Sequence, residues 1–295
     1  MESLLKRGRK LSSKQKNCLA LSTLCILGIN YYTPDIVYEK WPILGTVLAA
    51  CIGIFYLARL FTVGYSTHCS TQLAICALTL AVCIMQLEEH VMDLSYREYS
   101  FVIYSNKLLD SVVPFFKCKD MDSCAFDHSN ILTLNTVGLW LPLFNMLFIF
   151  QTNPLYALFI IGFALGHVAG LVGSAVCTLT YAPGMAGGVV LVLPSALWCA
   201  HRIIRYQFIG DNMLWVICLA SCPWLYCCIA GLVFLVNMTH VLPAIVWPVA
   251  MLTASIGVPY VMGKTFGYSI ECYHERVKME RRGGDPLDSE YEALL

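Results

Sequence analysis

The sequence predicts an all-α protein, a polytopic transmembrane helix bundle of about eight spans. Three observations carry that reading. Hydrophobic residues make up 58% of the 295 and charged residues only 13%, about half the charged share of a soluble domain. Mean hydropathy is +0.67. Apolar stretches of about 20 residues, the length that crosses a hydrocarbon core, recur along the whole chain.

In chain order, residues 1–16 form a basic cytosolic N-terminus carrying Lys6, Arg7, Arg9 and Lys10. No small-residue cleavage site follows it, so the first apolar run reads as a retained helix rather than a signal peptide. Candidate spans lie at 17–33, 41–63, 70–89, 131–151, 154–179, 184–204, 212–236 and 241–263, giving a bundle over 17–263. The first is short and ends in Asn30-Tyr31-Tyr32; without it the count is seven. A long loop, 90–130, separates the third and fourth spans, and a polar tail, 264–295, closes the chain.

The connections obey the positive-inside rule when the N-terminus is cytosolic. The cytosolic side then holds the N-terminal cluster, Arg59, Arg202, Arg205 and the tail residues Arg276 to Arg282, while the loop 90–130 and the Tyr181–Gly184 turn face the lumen or exterior. An even number of spans places both termini in the cytosol of an endomembrane or plasma membrane. In an oxidising compartment Cys118 and Cys124 of the loop are candidates for a disulfide. Asn237-Met238-Thr239 on the same side is a glycosylation sequon, too close to the membrane to be expected to carry a glycan. The other cysteines named by the pattern, among them Cys51, Cys76, Cys83, Cys177 and Cys222, sit in apolar runs and read as small hydrophobes. The tail ends in Glu290-Tyr291-Glu292-Ala293-Leu294-Leu295, where Glu290, Leu294 and Leu295 fit an acidic dileucine pattern and Tyr291 with Leu294 a Tyr-x-x-hydrophobic one, both candidate sorting signals. Zero formal net charge says nothing about nucleic acid, but no basic stripe interleaved with aromatics is present, and nucleic acid is not an expected partner. The expected partners are the lipid bilayer and an apolar small-molecule or lipid ligand; the sequence leaves the oligomeric state open.

Ionisable groups inside or at the edge of a bilayer are costly unless paired or wetted, which makes them candidates for function. Glu88-Glu89-His90 closes an 18-residue run, Ser70 to Leu87, that carries no charge. Consecutive helical residues diverge by about 100°, so Glu88 and Glu89 face different neighbours. Acids at a helix C-terminus also oppose its dipole, which disfavours a decorative role. His167 lies mid-span beside Gly162, Gly166 and Gly170, whose four-residue spacing makes a smooth packing face. Tyr181-Ala182-Pro183-Gly184 marks a tight turn between two spans. Asn135 and Asn145 are placed to hydrogen-bond between helices.

The order of these pieces resembles the HXXEE domain family of membrane proteins over residues 70–205. The matching segments are Gln86-Leu87-Glu88-Glu89, Gly166-His167, Tyr181-Ala182-Pro183-Gly184 and Leu191-Val192-Leu193-Pro194. The histidine that names the family would stand three residues before the acid pair, where this chain has Met85. The resemblance implies that Glu88, Glu89 and His167 belong to one site, and it supplies no assigned activity.

Three functions fit these residues. The first is an embedded enzyme using Glu88, Glu89 and His167 for acid/base catalysis on a lipid or isoprenoid-like substrate, with His90, Tyr181 and Asn135 in support. In a variant of it, Glu88, Glu89, His90 and His167 hold a divalent metal, since carboxylate with imidazole suits zinc or iron. The second is a proton-coupled carrier in which the same groups form a relay. The third is a receptor or trafficking protein whose information lies in loop and tail.

Overall fold

The computed structural model describes residues 35–63, 67–98, 100–112, 124–150, 153–207, 242–243 and 245–263, with isolated positions between 13 and 28 and between 217 and 236. Among the described residues the chain is helical and contains no strand. Among these residues six helices are long and apolar enough to cross a membrane: Lys40–Thr62, Ser70–His90, Asn130–Ile149, Pro154–Thr178, Met185–Ile204 and Val246–Gly263. They correspond to six of the eight expected spans. The other two, 17–33 and 212–236, fall largely outside the described residues, as do Cys118, the Asn237 sequon, and the tail with Glu290, Tyr291, Leu294 and Leu295.

Helix α1 (Asp35–Val63) and α2 (Thr67–His90) form an adjacent pair, and α2 is the hub of the fold. It packs against α1, α3 (Ser100–Val112), α5 (Leu141–Ile149), α7 (Met185–Gly187) and α8 (Leu193–Gln207). Helix α4 (His128–Asn135) runs into α5 through the π turn Thr136–Trp140, so that one span is built from three pieces. Helix α6 (Pro154–Thr178) follows, and the last described helix is α9 (Val246–Leu252), which leads into the π turn Thr253–Gly257. Another π turn, Gly188–Val192, joins α7 to α8. A π turn widens the helix by one residue and loosens the regular carbonyl ladder. Val137 shows the result: its carbonyl accepts the Ser255 hydroxyl of the last span at 3.1 Å.

The helix starts follow local rules. Asp127 caps α4 by accepting the Asn130 N–H at 2.7 Å, and Asn153 caps α6 by accepting the Tyr156 N–H at 3.1 Å, with Pro154 in the first turn. The Asn153 amide also donates to the Tyr260 carbonyl at 3.0 Å, tying α6 to the last span. The core is a large apolar cluster, in which Tyr156, Phe150, Phe163 and Met85 are fully buried, beside a smaller one around Val137, Trp247 and Met251. Cys76, Cys83 and Cys199 are free and buried there.

The loop expected over 90–130 contains a helix, α3, that the hydropathy pattern passes over because it is short and polar on one face. Val102 and Asn106, one turn apart, are buried. Asn106 both donates to the Phe126 carbonyl and accepts the Phe126 N–H, each at 2.9 Å. Tyr104 donates to Ser174 of α6 at 3.0 Å. Cys124, beside this clamp, is disulfide-bonded to a partner outside the described residues. The turn leading from α2 to α3 is organised by Asp93, whose carboxylate accepts the Ser95 N–H at 2.8 Å, the Arg97 N–H at 3.0 Å and the Arg97 Nε–H at 2.9 Å. Burial works to raise the Asp93 carboxyl, but the Arg97 backbone and side chain and the Ser95 N–H outweigh it and hold it below the usual aspartate value.

Close approach decides one position in α1. A Cβ on Gly45 would collide with the Trp140 ring. Gly45→Ala should therefore destabilise the bundle by about 1–3 kcal/mol, the range for overpacking, and lower its thermal midpoint in detergent. Gly53→Ala, with nothing within 4 Å, should leave it unchanged; equal midpoints for the two variants would refute the packing. For Asp93, a folded value below the unfolded one means that the turn gains stability above about pH 4 and loses it as pH falls through the folded value. Amide protection at Ser95 and Arg97 should hold from neutrality to about pH 4 and fall below it, by hydrogen exchange, whereas Asp93→Asn should abolish this acid step.

Candidate functional site

Sixteen polar or charged residues are buried in the described bundle, and several of them meet at one end of α2. Glu89 is 1% exposed, and its Oε1 lies 2.7 Å from His167 Nε2 on α6, across 78 residues of sequence. Glu88, one residue earlier, turns to a different neighbour: its Oε2 accepts the Gly187 N–H of α7 at 2.7 Å. The 100° step along α2 separates the two acids in this way. Glu88 sits at the C-terminal end of its own helix but at the N-terminal end of the helix running from 185, where free N–H groups and the positive end of the dipole favour a carboxylate.

The Tyr181–Gly184 turn receives both acids. Gly184 has φ +86°, in the left-handed region that glycine adopts freely, and a Cβ there would collide with Glu89 Cγ. The turn is closed by the Ala186 N–H donating to the Tyr181 hydroxyl at 3.4 Å. Met85, one turn before the acids, packs its backbone against Gly187, so position 85 faces this same turn.

His90 belongs to the cluster through a chain of amides. Trp140 Nε1 donates to Gln86 Oε1 at 2.5 Å, Gln86 Nε2 donates to Asn135 Oδ1 at 2.8 Å, and Asn135 Nδ2 meets His90 Nε2 at 3.1 Å. The direction of this chain is fixed at both ends. Indole N–H can only donate, which turns the Gln86 oxygen toward Trp140 and its nitrogen toward Asn135. The second Asn135 Nδ2 hydrogen goes to the Ile131 carbonyl at 3.1 Å, which can only accept. Asn135 therefore donates to His90 Nε2, which holds a lone pair and leaves its ring proton on Nδ1. The 3.5 Å approach of His90 Nε2 to Glu89 Oε2 is then a close neighbour rather than a bond donated from that nitrogen. His167 is the histidine that shares a proton line with Glu89.

Aromatic rings cover the cluster. Trp41 meets His90 at a tilt with ring centres 5.1 Å apart, Phe101 meets it edge-on at 5.3 Å, and Phe101 also meets His167 at 6.1 Å. Helix α3 thus lies over the acid end of α2. The expected metal ligands do not converge: Glu88 turns to Gly187, His90 to Asn135 and His167 to Glu89. Among the described residues no group of three or more His, Cys, Asp or Glu is arranged to hold a metal ion. Asn145 is buried elsewhere, facing a groove with Tyr260 and Thr23.

The site thus joins Glu89 with His167, sets Glu88 and His90 beside them, and puts Asn135 and Tyr181 in contact with their supports. Sequence reasoning gave no role in the site to Gln86, Trp140 or Phe101. Gln86 carried a usable signal, an amide in a strongly apolar stretch four residues before His90 and so on its face of the helix. Trp140 and Phe101 carried none.

Fold and site together define a helical chain of membrane-spanning character with a buried carboxylate–imidazole pair at one end of the bundle. No family model, curated protein or solved structure matches this chain.

Gly184→Ala should break the site from the turn side. The left-handed backbone costs about 1–2 kcal/mol with a side chain, and the new methyl displaces Glu89. Its thermal midpoint should fall well below that of Gly173→Ala, a change into open space on α6; matching midpoints would show that the turn does not hold Glu89.

Proposed function

We propose that this chain is a multi-pass protein of an endomembrane or the plasma membrane that performs acid/base chemistry on an apolar, lipid-like substrate, with Glu89 and His167 as the proton-holding pair. The observation that carries this reading is the 2.7 Å contact between Glu89 Oε1 and His167 Nε2 in a water-poor site. One proton lies on the line between a carboxylate and an imidazole, the two groups most used for general acid and base work. Asn135, through His90, and the Gly184 turn position the pair. The resemblance to the HXXEE family supports treating Glu88, Glu89 and His167 as parts of one site. The same reading takes the bundle to have about eight spans with both termini cytosolic.

The carrier reading finds less support. The polar chain beside the pair runs from His90 through two amides to Trp140, is not hydrogen-bonded to Glu89, and ends at a donor that cannot pass a proton on. A blind end suits chemistry confined to the site better than a path across the membrane.

The experiment uses membranes containing the full chain, incubated with a lipid extract in D2O. Proton transfer to carbon leaves deuterium in a product, so at least one lipid species should gain mass with the wild-type protein. Glu89→Gln and His167→Gln should each slow that gain by about 100- to 10,000-fold per folded molecule, the usual weight of a general acid or base, a loss far beyond what their lowered thermal midpoints account for. Equal labelling by wild type and a folded Glu89→Gln variant would sink the proposal.

A further inference from the structure

Glu88 is left over by this chemistry. Its Oε2 is held by Gly187, but its Oε1 is buried without a hydrogen-bond partner. The Ala186 and Gly184 amides add attraction to the carboxylate from the same turn. Glu88 also lines a groove of about 520 Å³ between the last turns of α2 and the beginning of the neighbouring span. That volume lies within the range of about 300–1,000 Å³ typical of small-molecule sites. The remaining walls are apolar, formed by Ile84, Leu87 and Val91 on one side and Val190 and Leu191 on the other. Val190 is 67% exposed, so the groove opens sideways, toward what a membrane would supply.

Position and chemistry select the occupant. Ile84 and Leu191 lie a turn deeper than Glu88, along the apolar part of the spans, whereas Glu88 stands at the span end. A ligand matching this gradient has a hydrocarbon chain along the deep walls and its head at the carboxylate. Among the described residues Glu88 is the one ionisable side chain of the groove, and an ionised carboxylate only accepts hydrogen bonds. His90 and His167 are both engaged elsewhere. The complementary head is therefore a donor of opposite charge.

We propose that this groove binds a single-chain lipid amine, its protonated amino group on Glu88 and its chain between Ile84, Leu87, Val190 and Leu191. The inference deepens the reading above by giving the amphiphile's head group. Binding is measured without turnover, so its failure and the failure of the Glu89–His167 chemistry are seen separately.

The test is photolabelling of the full-length protein in phosphatidylcholine nanodiscs. The probe is a long-chain primary amine bearing a diazirine and an alkyne; the controls are the carboxylic acid and the headless hydrocarbon of the same chain. The amine should label peptides containing residues 84–94 or 186–191, and unmodified long-chain amine should compete it away. Glu88→Gln keeps an acceptor for the Gly187 N–H but removes the charge, and should cut amine labelling about tenfold to a hundredfold, the weight of one hydrogen bond to a charged group. Val190→Trp fills the groove from its exposed edge and leaves Glu88 in place. It should cut labelling likewise, and so decides the matter even where Glu88→Gln does not fold. Equal labelling by all three probes would mean bulk lipid only and would overturn the proposal. So would amine labelling that persists in a folded Val190→Trp variant.

Discussion

Two adjacent carboxylates at the end of α2 face different neighbours, and neither can be left unpaired once the bundle closes around them. The bundle answers with two different elements. Helix α6 brings His167 to Glu89, and the Gly184–Gly187 turn brings a free N–H to Glu88. These two contacts fix where α6 and the span beginning at Met185 lie against α2, and the apolar packing fills in around them. Taking away one partner of a buried charged pair costs more than the pair contributes, because the survivor is stranded. The acid end of α2 therefore constrains the arrangement of three spans more tightly than any single apolar contact.

A second constraint runs the other way along α2. Gln86 and His90 lie four residues apart on one face, and Asn135 bridges them from the span 130–149. Every amide in this bridge has a determined orientation, because an indole donor stands at one end and a backbone carbonyl at the other. The wide π turn Thr136–Trp140 directly follows Asn135 and ends at Trp140, the two residues of that span that enter the chain. One extra residue in the turn changes the angle between them, so a regular helix would not present both side chains in the same way.

Much of this was legible in the amino acids. Hydrophobic runs marked the six described spans to within a few residues, because length and apolarity are what a bilayer selects for. Glu88, Glu89 and His167 stood out because lipid penalises them, and the divergence of Glu88 from Glu89 followed from helix geometry alone. What stayed hidden was specified by tertiary contact. Trp140 looks like any interfacial aromatic until Gln86 is seen 54 residues away in sequence, at its N–H. Helix α3 is too short and too mixed in polarity to register among spans. The π turns are imposed by packing and have no signature of their own. The resemblance pointed to a histidine at position 85, and the chain instead uses Met85 for contact with Gly187.

The separation of the acids from their partners along the chain has a consequence for how the protein is made. Glu88 and Glu89 emerge 99 and 78 residues before Gly187 and His167. During that interval α2 must enter the bilayer with both carboxylates unmatched. Their place in the final turn, beside the aqueous boundary, lets water solvate them until the later spans arrive; the same pair in the middle of Ser70–His90 would meet the full cost of hydrocarbon. Order of synthesis thus explains why the charged cluster of this bundle stands at the end of a span.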